Sequence, residues 1–158
     1  RAYTEADAET LAALFTASVH ELAMAHYDAE QRQAWAPIPP DLSEWRDRFA
    51  GLQTIVAEDQ DACLGFIAYE PDGHIDLLYT APDTARKGVA SALLQEVIAR
   101  FSKAGDVMTL FTEASLVAAP FFLRFGFEVS EEQNVLRRGV HFRRFAMRRS
   151  LRTSPPEA

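Results

Sequence analysis

Three short runs, residues 54–58, 64–69 and 74–80, follow one another with only turn chemistry between them. Each run is continuously apolar or alternates apolar with polar residues, the pattern of a strand. The links Asp59-Gln-Asp61 and Pro71-Asp-Gly73 favour tight turns, so an antiparallel meander is expected. Pro82 and Asp83 mark a loop after the third strand. Val89, Leu93, Leu94, Val97, Ile98 and Phe101 then recur on one helical face, and the helix should end near Ala104-Gly105.

The flanks extend this unit. Thr4-Glu-Ala-Asp7 has the form of a capping box with Asp in place of Glu, and Leu11, Leu14, Phe15, Val19, Leu22 and Ala23 follow at helical spacing. A first helix is expected over 5–26. The prolines of Trp35-Ala-Pro-Ile-Pro-Pro40 exclude regular helix there. Asp41 or Ser43 can cap a short second helix through Phe49. Downstream, a strand is expected over 107–113 and a short helix over 116–125, with Pro120 in its first part and Gly126 at its end. Two final strands, 127–135 and 140–149, flank the turn Arg137-Arg-Gly139. The order is ααβββαβαββ, with a further strand possible at 1–3. Strands alternate with helices only in the middle, so the class is α/β (α+β in some schemes) with a mixed sheet that is not doubly wound. One domain over 1–152 and a disordered tail over 153–158 are expected.

Composition narrows the function. The 158 residues are 48% hydrophobic and 25% charged, with a formal net charge of −7. An acidic chain without a basic face argues against nucleic acid as a partner. The balance fits a cytoplasmic protein whose substrate carries an amine. Cys63 is the only cysteine, which rules out an internal disulfide, and it reads as a buried small hydrophobe. No apolar run approaches the ~20 residues of a membrane span, and the first residues do not resemble a signal peptide. His20, His26, His74 and His141 lack zinc spacing, so no metal is expected. Arg143, Arg144, Arg148 and Arg149 on the last strand read as a solvated face.

A strand ending at Thr80, a turn, and Lys87-Gly-Val-Ala90 opening a helix make an anion site conceivable. The first turn of a helix has unpaired N–H groups and the positive end of the macrodipole, which together hold a phosphate. Gly88 permits close approach, Ala90 is small enough for tight packing, and Arg86 and Lys87 can add charge-assisted bonds. On Gly88 alone, an ordinary helix start is the favoured reading.

The wider pattern carries a resemblance. Leu78-Tyr-Thr-Ala-Pro-Asp-Thr-Ala-Arg-Lys-Gly-Val-Ala-Ser-Ala-Leu-Leu94 resembles the acetyl-CoA loop of the GNAT superfamily, Gln/Arg-x-x-Gly-x-Gly/Ala after a strand and a Pro. Glu113-Ala-Ser-Leu-Val-Ala-Ala-Pro-Phe-Phe-Leu-Arg-Phe-Gly-Phe127 is similar to the next strand and helix of that family, which end in Gly-Phe. Tyr27-Asp-Ala-Glu-Gln-Arg-Gln-Ala-Trp-Ala-Pro37 and Arg137-Arg-Gly-Val140 resemble its YafP-like branch.

The resemblance implies a mostly antiparallel sheet flanked by helices and splayed between its fourth and fifth strands, counting one at 1–3. It implies an N-acetyltransferase that moves an acetyl group from acetyl-CoA to a small-molecule amine by direct attack. The alternative is a non-catalytic acyl-CoA-binding or regulatory module. The pantetheine arm would pair with the main chain of Leu78, Tyr79 and Thr80. The pyrophosphate would meet amides of Arg86, Lys87, Gly88, Val89, Ala90 and Ser91. Two departures stand out. The usual Gln/Arg falls on Ala85, with the cation one residue later at Arg86. Ser115 replaces a frequent Asn, and Phe122 replaces a Tyr that often protonates the leaving thiolate. Ser115 can bond the pantetheine or cap a helix; Phe122 would line the cofactor site without a proton to give.

Attack on a thioester requires the ammonium to lose a proton to a base. Alternation puts His74, Asp76 and Leu78 on one strand face, with Tyr79 opposite and structural. In related enzymes the 74 and 76 positions turn toward substrate, so Asp76 is the first candidate base. His74 is the second and Glu113 the third. His26, Tyr27 and Trp35 fall where the family builds the acceptor wall. A homodimer through the exposed final strands would be compatible with this layout.

Overall fold

The computed structural model describes residues 1–84 and 87–151. The expected phosphate contact of Arg86 and the expected tail over 153–158 therefore lie outside the described residues.

A 3-10 turn, Glu5–Asp7, leads into α1, Ala8–Leu22. The Thr4 amide donates to Asp7 Oδ2 at 2.8 Å, which completes the box read from the sequence. The helix expected over 5–26 is α1, which stops at Leu22, and a further helix not expected from the sequence follows it. Asp28 Oδ1 accepts from the Gln31 amide at 2.7 Å, and Gln31 Oε1 accepts from the Asp28 amide at 2.9 Å. This second capping box starts α2, Ala29–Trp35. Asp41 caps α3, Leu42–Ala50, by accepting from the Glu44 amide.

Six strands form one sheet: β1 Gln53–Asp59, β2 Ala62–Tyr69, β3 His74–Thr80, β4 Thr109–Ser115, β5 Glu128–Arg137 and β6 Val140–Ser150. Their spatial order is β1-β2-β3-β4-β6-β5, antiparallel except for β3 with β4. The strand thought possible at 1–3 is only a bridge, Ala2 to Ile55. Helix α4, Val89–Ala104, ends on Gly105 in the left-handed conformation. β4 starts two residues later than expected because Asp106, Val107 and Met108 carry the chain back to the sheet. Helix α5 is shorter than expected, Ala119–Arg124, and its N-cap is Ala118. Ser115 does not cap it; the Ser115 hydroxyl instead accepts from the Ala118 amide at 3.1 Å and shapes the preceding turn.

Each face of the sheet has its own core. Ile67, Ile75, Leu94, Val97, Leu110, Phe122 and Phe127 pack on the α4–α5 side. Leu11, Phe15, Phe49, Val56, Phe66 and Leu77 pack on the α1–α3 side. A smaller cluster of Ala23, Tyr27, Ala34 and Phe142 joins α2 to β6.

Two irregularities in β3 decide where a ligand can go. The β3–β4 ladder consists of two pairs, His74 with Phe111 and Ile75 with Thr112, although both strands continue beyond them. The β2–β3 ladder also loses register, since Ala68 faces Leu77 while Tyr69 faces Ile75. Asp76 is the extra residue, and strict alternation breaks there. Ile75 and Leu78 pack with the α4 side, whereas Leu77 and Tyr79 pack with the α1 side. The expectation that Leu78 shares a face with His74 and Asp76, with Tyr79 opposite, is corrected by this bulge.

Candidate active site

Where the β3–β4 ladder stops, a cavity of about 140 Å³ opens between the strands. Ile75, Asp76, Leu77, Leu78 and Tyr79 line it from β3, and Thr112, Glu113, Ala114 and Ser115 from β4. Ala118 and Phe122 close it from the α5 side, while Phe15, Trp35 and Arg48 line it from the α1–α3 side. It therefore has residues of both sheet faces on its walls. The edge of β3 beyond Ile75 keeps backbone groups without a β4 partner among the described residues, which suits an extended ligand adding to it.

At one end lies the start of α4. Gly88 is its N-cap with φ +85°, a conformation that favours glycine, and a Cβ there would meet nothing within 4 Å. The amides of Val89, Ala90 and Ser91 open the first turn and have no partner within the helix, beside exposed Lys87. Thr84 anchors the loop by donating to the carbonyls of Leu64 and Ala81, each at 2.9 Å. Gly65 went unnoticed in the sequence. A Cβ on it would sit 2.8 Å from the Tyr79 carbonyl oxygen and 3.1 Å from Val89 Cγ1. Only a glycine in β2 lets the end of β3 and the start of α4 come this close.

The three carboxylate and imidazole candidates separate into two groups. Asp76 lines the cavity and its Oδ2 accepts from Arg48 Nε at 3.0 Å. His74 stacks on Phe111 with ring centroids 4.9 Å apart. Its Nε2 lies 3.0 Å from Glu113 Oε1, and its Nδ1 lies 2.6 Å from Glu70 Oε1. Hydrogen bonds to Glu113, opposed by burial and assisted by Glu70, raise the His74 pKa from 6.5 to about 9. The same bond to His74 lowers that of Glu113. At neutral pH the group is an imidazolium between two carboxylates, and of these only Glu113 lines the cavity. Glu70 carried no sequence signal because it sits in a turn, four residues before its partner.

Of the expected acceptor-wall residues, Tyr27 and Trp35 line the cavity, with ring centroids 5.3 Å apart. His26 is exposed and is absent from the described lining. The Tyr27 hydroxyl donates to the Arg143 carbonyl and accepts from the Leu116 amide, both at 2.9 Å. Burial raises its pKa. Burial also pushes the Tyr79 phenol up to about 12. Phe122 is buried and offers no proton. The arginines of β6 are not simply a solvated face: Arg143 and Arg144 line the cavity, as does Arg137 from the β5–β6 hairpin. Among the described residues no His, Cys, Asp and Glu cluster is arranged to hold a metal, and no helix is long and apolar enough to cross a membrane.

Comparison with known proteins agrees with this geometry. Residues 23–149 match the family described as the acetyltransferase (GNAT) domain. The chain is 38% identical over 148 residues to the uncharacterized N-acetyltransferase YafP of Escherichia coli K12, covering 94% of this chain and 93% of that protein. A GCN5-related N-acetyltransferase from Rhodopseudomonas palustris superposes with a TM-score of 0.89 at 31% identity, over 95% of this chain and 93% of the other. The PaiA N-acetyltransferase of Thermoplasma acidophilum, solved in complex with coenzyme A, shares the fold with a TM-score of 0.77 at 18% identity, over 95% and 96% of the two chains.

Proposed function

This chain belongs to the GNAT acetyltransferase family, and we propose that it transfers an acetyl group from acetyl-CoA directly to the amine of a small molecule within a ternary complex. The observation that carries the reading is the cavity beside the short β3–β4 ladder, lined from both faces of the sheet. Acetyl-CoA, when bound, supplies the activated thioester. The chain offers a fit for it in three places: the open glycine cradle at α4, the unpaired edge of Leu78, Tyr79 and Thr80, and the passage past Ser115, Ala118 and Phe122. The acceptor would then enter from the opposite face, between α1, α2, α3 and the β5–β6 hairpin.

On that face Asp76 is the proposed base. It takes one proton from the acceptor ammonium, directly or through a water; the neutral amine then forms its bond to the acetyl carbon, and the carbon–sulfur bond breaks. Arg48 orients the Asp76 carboxylate. Glu113 stands across the cavity as the second carboxylate, and its bond to His74 keeps it ionised. His74 itself is no longer favoured as base, because an imidazole already protonated up to about pH 9 cannot accept a proton at neutral pH. With Phe122 in place of a tyrosine, the sulfur has no phenol at that position, and the departing thiolate takes the second proton that the nitrogen sheds on becoming an amide, directly or through solvent. We propose one domain over 1–152 for this scheme.

The test is thiol release from acetyl-CoA with a panel of amines, comparing Asp76→Asn with the parent. The parent should turn over at least one amine faster than water. Asp76→Asn should lower kcat by roughly 100-fold, the usual worth of a general base, with acetyl-CoA affinity kept. A pH–rate curve unchanged by Asp76→Asn removes Asp76 as base. Absence of turnover above hydrolysis with every amine sinks the transferase reading for these acceptors.

A further inference from the structure

The cavity is lined by the guanidiniums of Arg48, Arg137, Arg143 and Arg144 and by the carboxylates of Asp76 and Glu113. Four ion pairs lie at or near it. Arg48 is paired with Asp76, Glu113 with His74, Arg138 with Glu44 at 3.5 Å, and Arg143 with Glu132. Two guanidiniums remain. Arg144, half-buried on β6, donates to the neutral Gln133 Oε1 at 2.9 Å. Arg137 has no carboxylate partner among the described residues, yet it lines the cavity and also an adjoining cleft of about 680 Å³. Arg48 and Trp35 line both spaces as well, so the cleft and the cavity meet at these side chains. Arg48, Arg144 and Arg138 are near enough for their charges to act on Arg137. Arg137 is exposed at the mouth of the cavity, so an anion can reach it from solvent and meet several guanidiniums together.

This arrangement runs against the whole-chain charge of −7. Global acidity does not reach this pocket; its local field is set by three elements that each bring a guanidinium to the same place. The remaining walls are aromatic. Trp35 makes edge-on contacts with Tyr27 and Phe142, and Phe15 makes one with Tyr79. A polyamine would meet cations where its second amine must go. An amine with an apolar body and an anionic group meets complementary chemistry at both ends: Asp76 and Glu113 for the ammonium, guanidiniums for the anion, rings for the body.

Resting on the transferase reading above, we propose that the acceptor is an amine that also bears an anionic group on an apolar or aromatic body, of the amino-acid type, with Arg137 and Arg144 receiving the anion. Arg137 is the specificity-determining residue, and a carboxylate or a phosphonate serves as the anion.

Matched acceptors separate the parts of the claim: phenylalanine, its amide, phenethylamine, and the aminophosphonate analogue, each with acetyl-CoA. One charge-assisted contact is worth roughly 10- to 100-fold, so kcat/KM for the acid should exceed that for the amide and the bare amine by that factor. The aminophosphonate arm tells which anion is preferred. Arg137→Gln should raise KM for the acid by the same factor and collapse the acid-to-amide ratio, Arg137→Lys should restore part of it, and acetyl-CoA affinity should not move. Calorimetry of the same four compounds on the coenzyme A-loaded protein gives a readout independent of turnover. Preferential binding of the anionic amines without turnover keeps the anion site and defeats the transferase reading. Turnover or binding of the amide and bare amine equal to the acid overturns the anion site and leaves the transferase reading standing. Loss of acetyl-CoA affinity in Arg137→Gln also overturns it, because Arg137 would then belong to the cofactor.

Discussion

Replacing His74 with glutamine removes a positive charge from between Glu70 and Glu113 while keeping a side chain of similar reach. In the folded protein both ring nitrogens face carboxylates, at 2.6 Å and 3.0 Å, an arrangement that wants the imidazolium. Its pKa rises from 6.5 to about 9. At about 1.4 kcal/mol per tenfold this amounts to roughly 3 kcal/mol, and the screening available to the partly exposed glutamates reduces it to about 2. The direction is fixed by linkage. Below pH 6.5 the folded and unfolded chains both hold the proton, and the stabilisation is fully present. Between 6.5 and about 9 the unfolded chain releases it first, so stability falls as pH rises, and above about 9 the contribution is gone. Urea unfolding at pH 6 and pH 9.5 should therefore show the parent losing about 2 kcal/mol more across the interval than His74→Gln does. Equal losses would refute the ion-pair assignment. In the rate profile, an acid-side limb near pH 6.5 that disappears in His74→Gln would return His74 to the role of base and refute the same reasoning from the functional side.

Other perturbations test separate parts of the site. Gly88→Glu puts a side chain at φ +85°, which costs about 1 kcal/mol of folding stability, and a negative charge over the first turn of α4; acetyl-CoA affinity should drop at least ~100-fold in calorimetry, and undiminished affinity would dismiss the loop as a pyrophosphate site. Gly65→Val forces a Cβ within 2.8 Å of the Tyr79 carbonyl oxygen, so chemical denaturation should show a loss of about 1–3 kcal/mol together with weaker acetyl-CoA binding; parent-like values for both would mean that the close approach of β2, β3 and α4 does not matter. Tyr27→Phe strands the Leu116 amide and the Arg143 carbonyl and should cost about 1–3 kcal/mol in urea, whereas a neutral result would show that water replaces the hydroxyl freely.

The meander, the helix after it and the family pattern were readable because periodicity and turn chemistry are local. Helix α2 was readable in principle, since Asp28 and Gln31 form a capping box, but its seven residues are too few for apolar spacing to announce a helix. The bulge at Asp76 was not readable. It arises from how Ala68 and Tyr69 meet β3, a pairing that no single strand encodes, and it overturns a parity argument that is sound for a regular ladder. Glu70 and Gly65 were missed for a related reason: a turn glutamate and a strand glycine acquire meaning only from what lies across from them. The arginines misled in the opposite way. Alternation along β6 says which side chains share a face but not that α2, α3 and the β5–β6 hairpin build a wall above that face.

The brevity of the β3–β4 ladder has a mechanical side. Three strands on each side of it, β1-β2-β3 and β4-β6-β5, are joined within the sheet at one end only, by the pairs at His74 and Ile75. Nearby ties reinforce that end: the Thr112 hydroxyl donates to the Ile75 carbonyl at 2.8 Å, and the Phe111 amide donates to the Gly73 carbonyl at 3.1 Å. From this fulcrum to Thr80, five residues of strand make an arm of roughly 17 Å. One degree of rotation between the two half-sheets shifts its free end by about 0.3 Å at that arm length. The His74–Glu113 and His74–Glu70 contacts sit at the joined end, whereas the width of the channel is set at the free end.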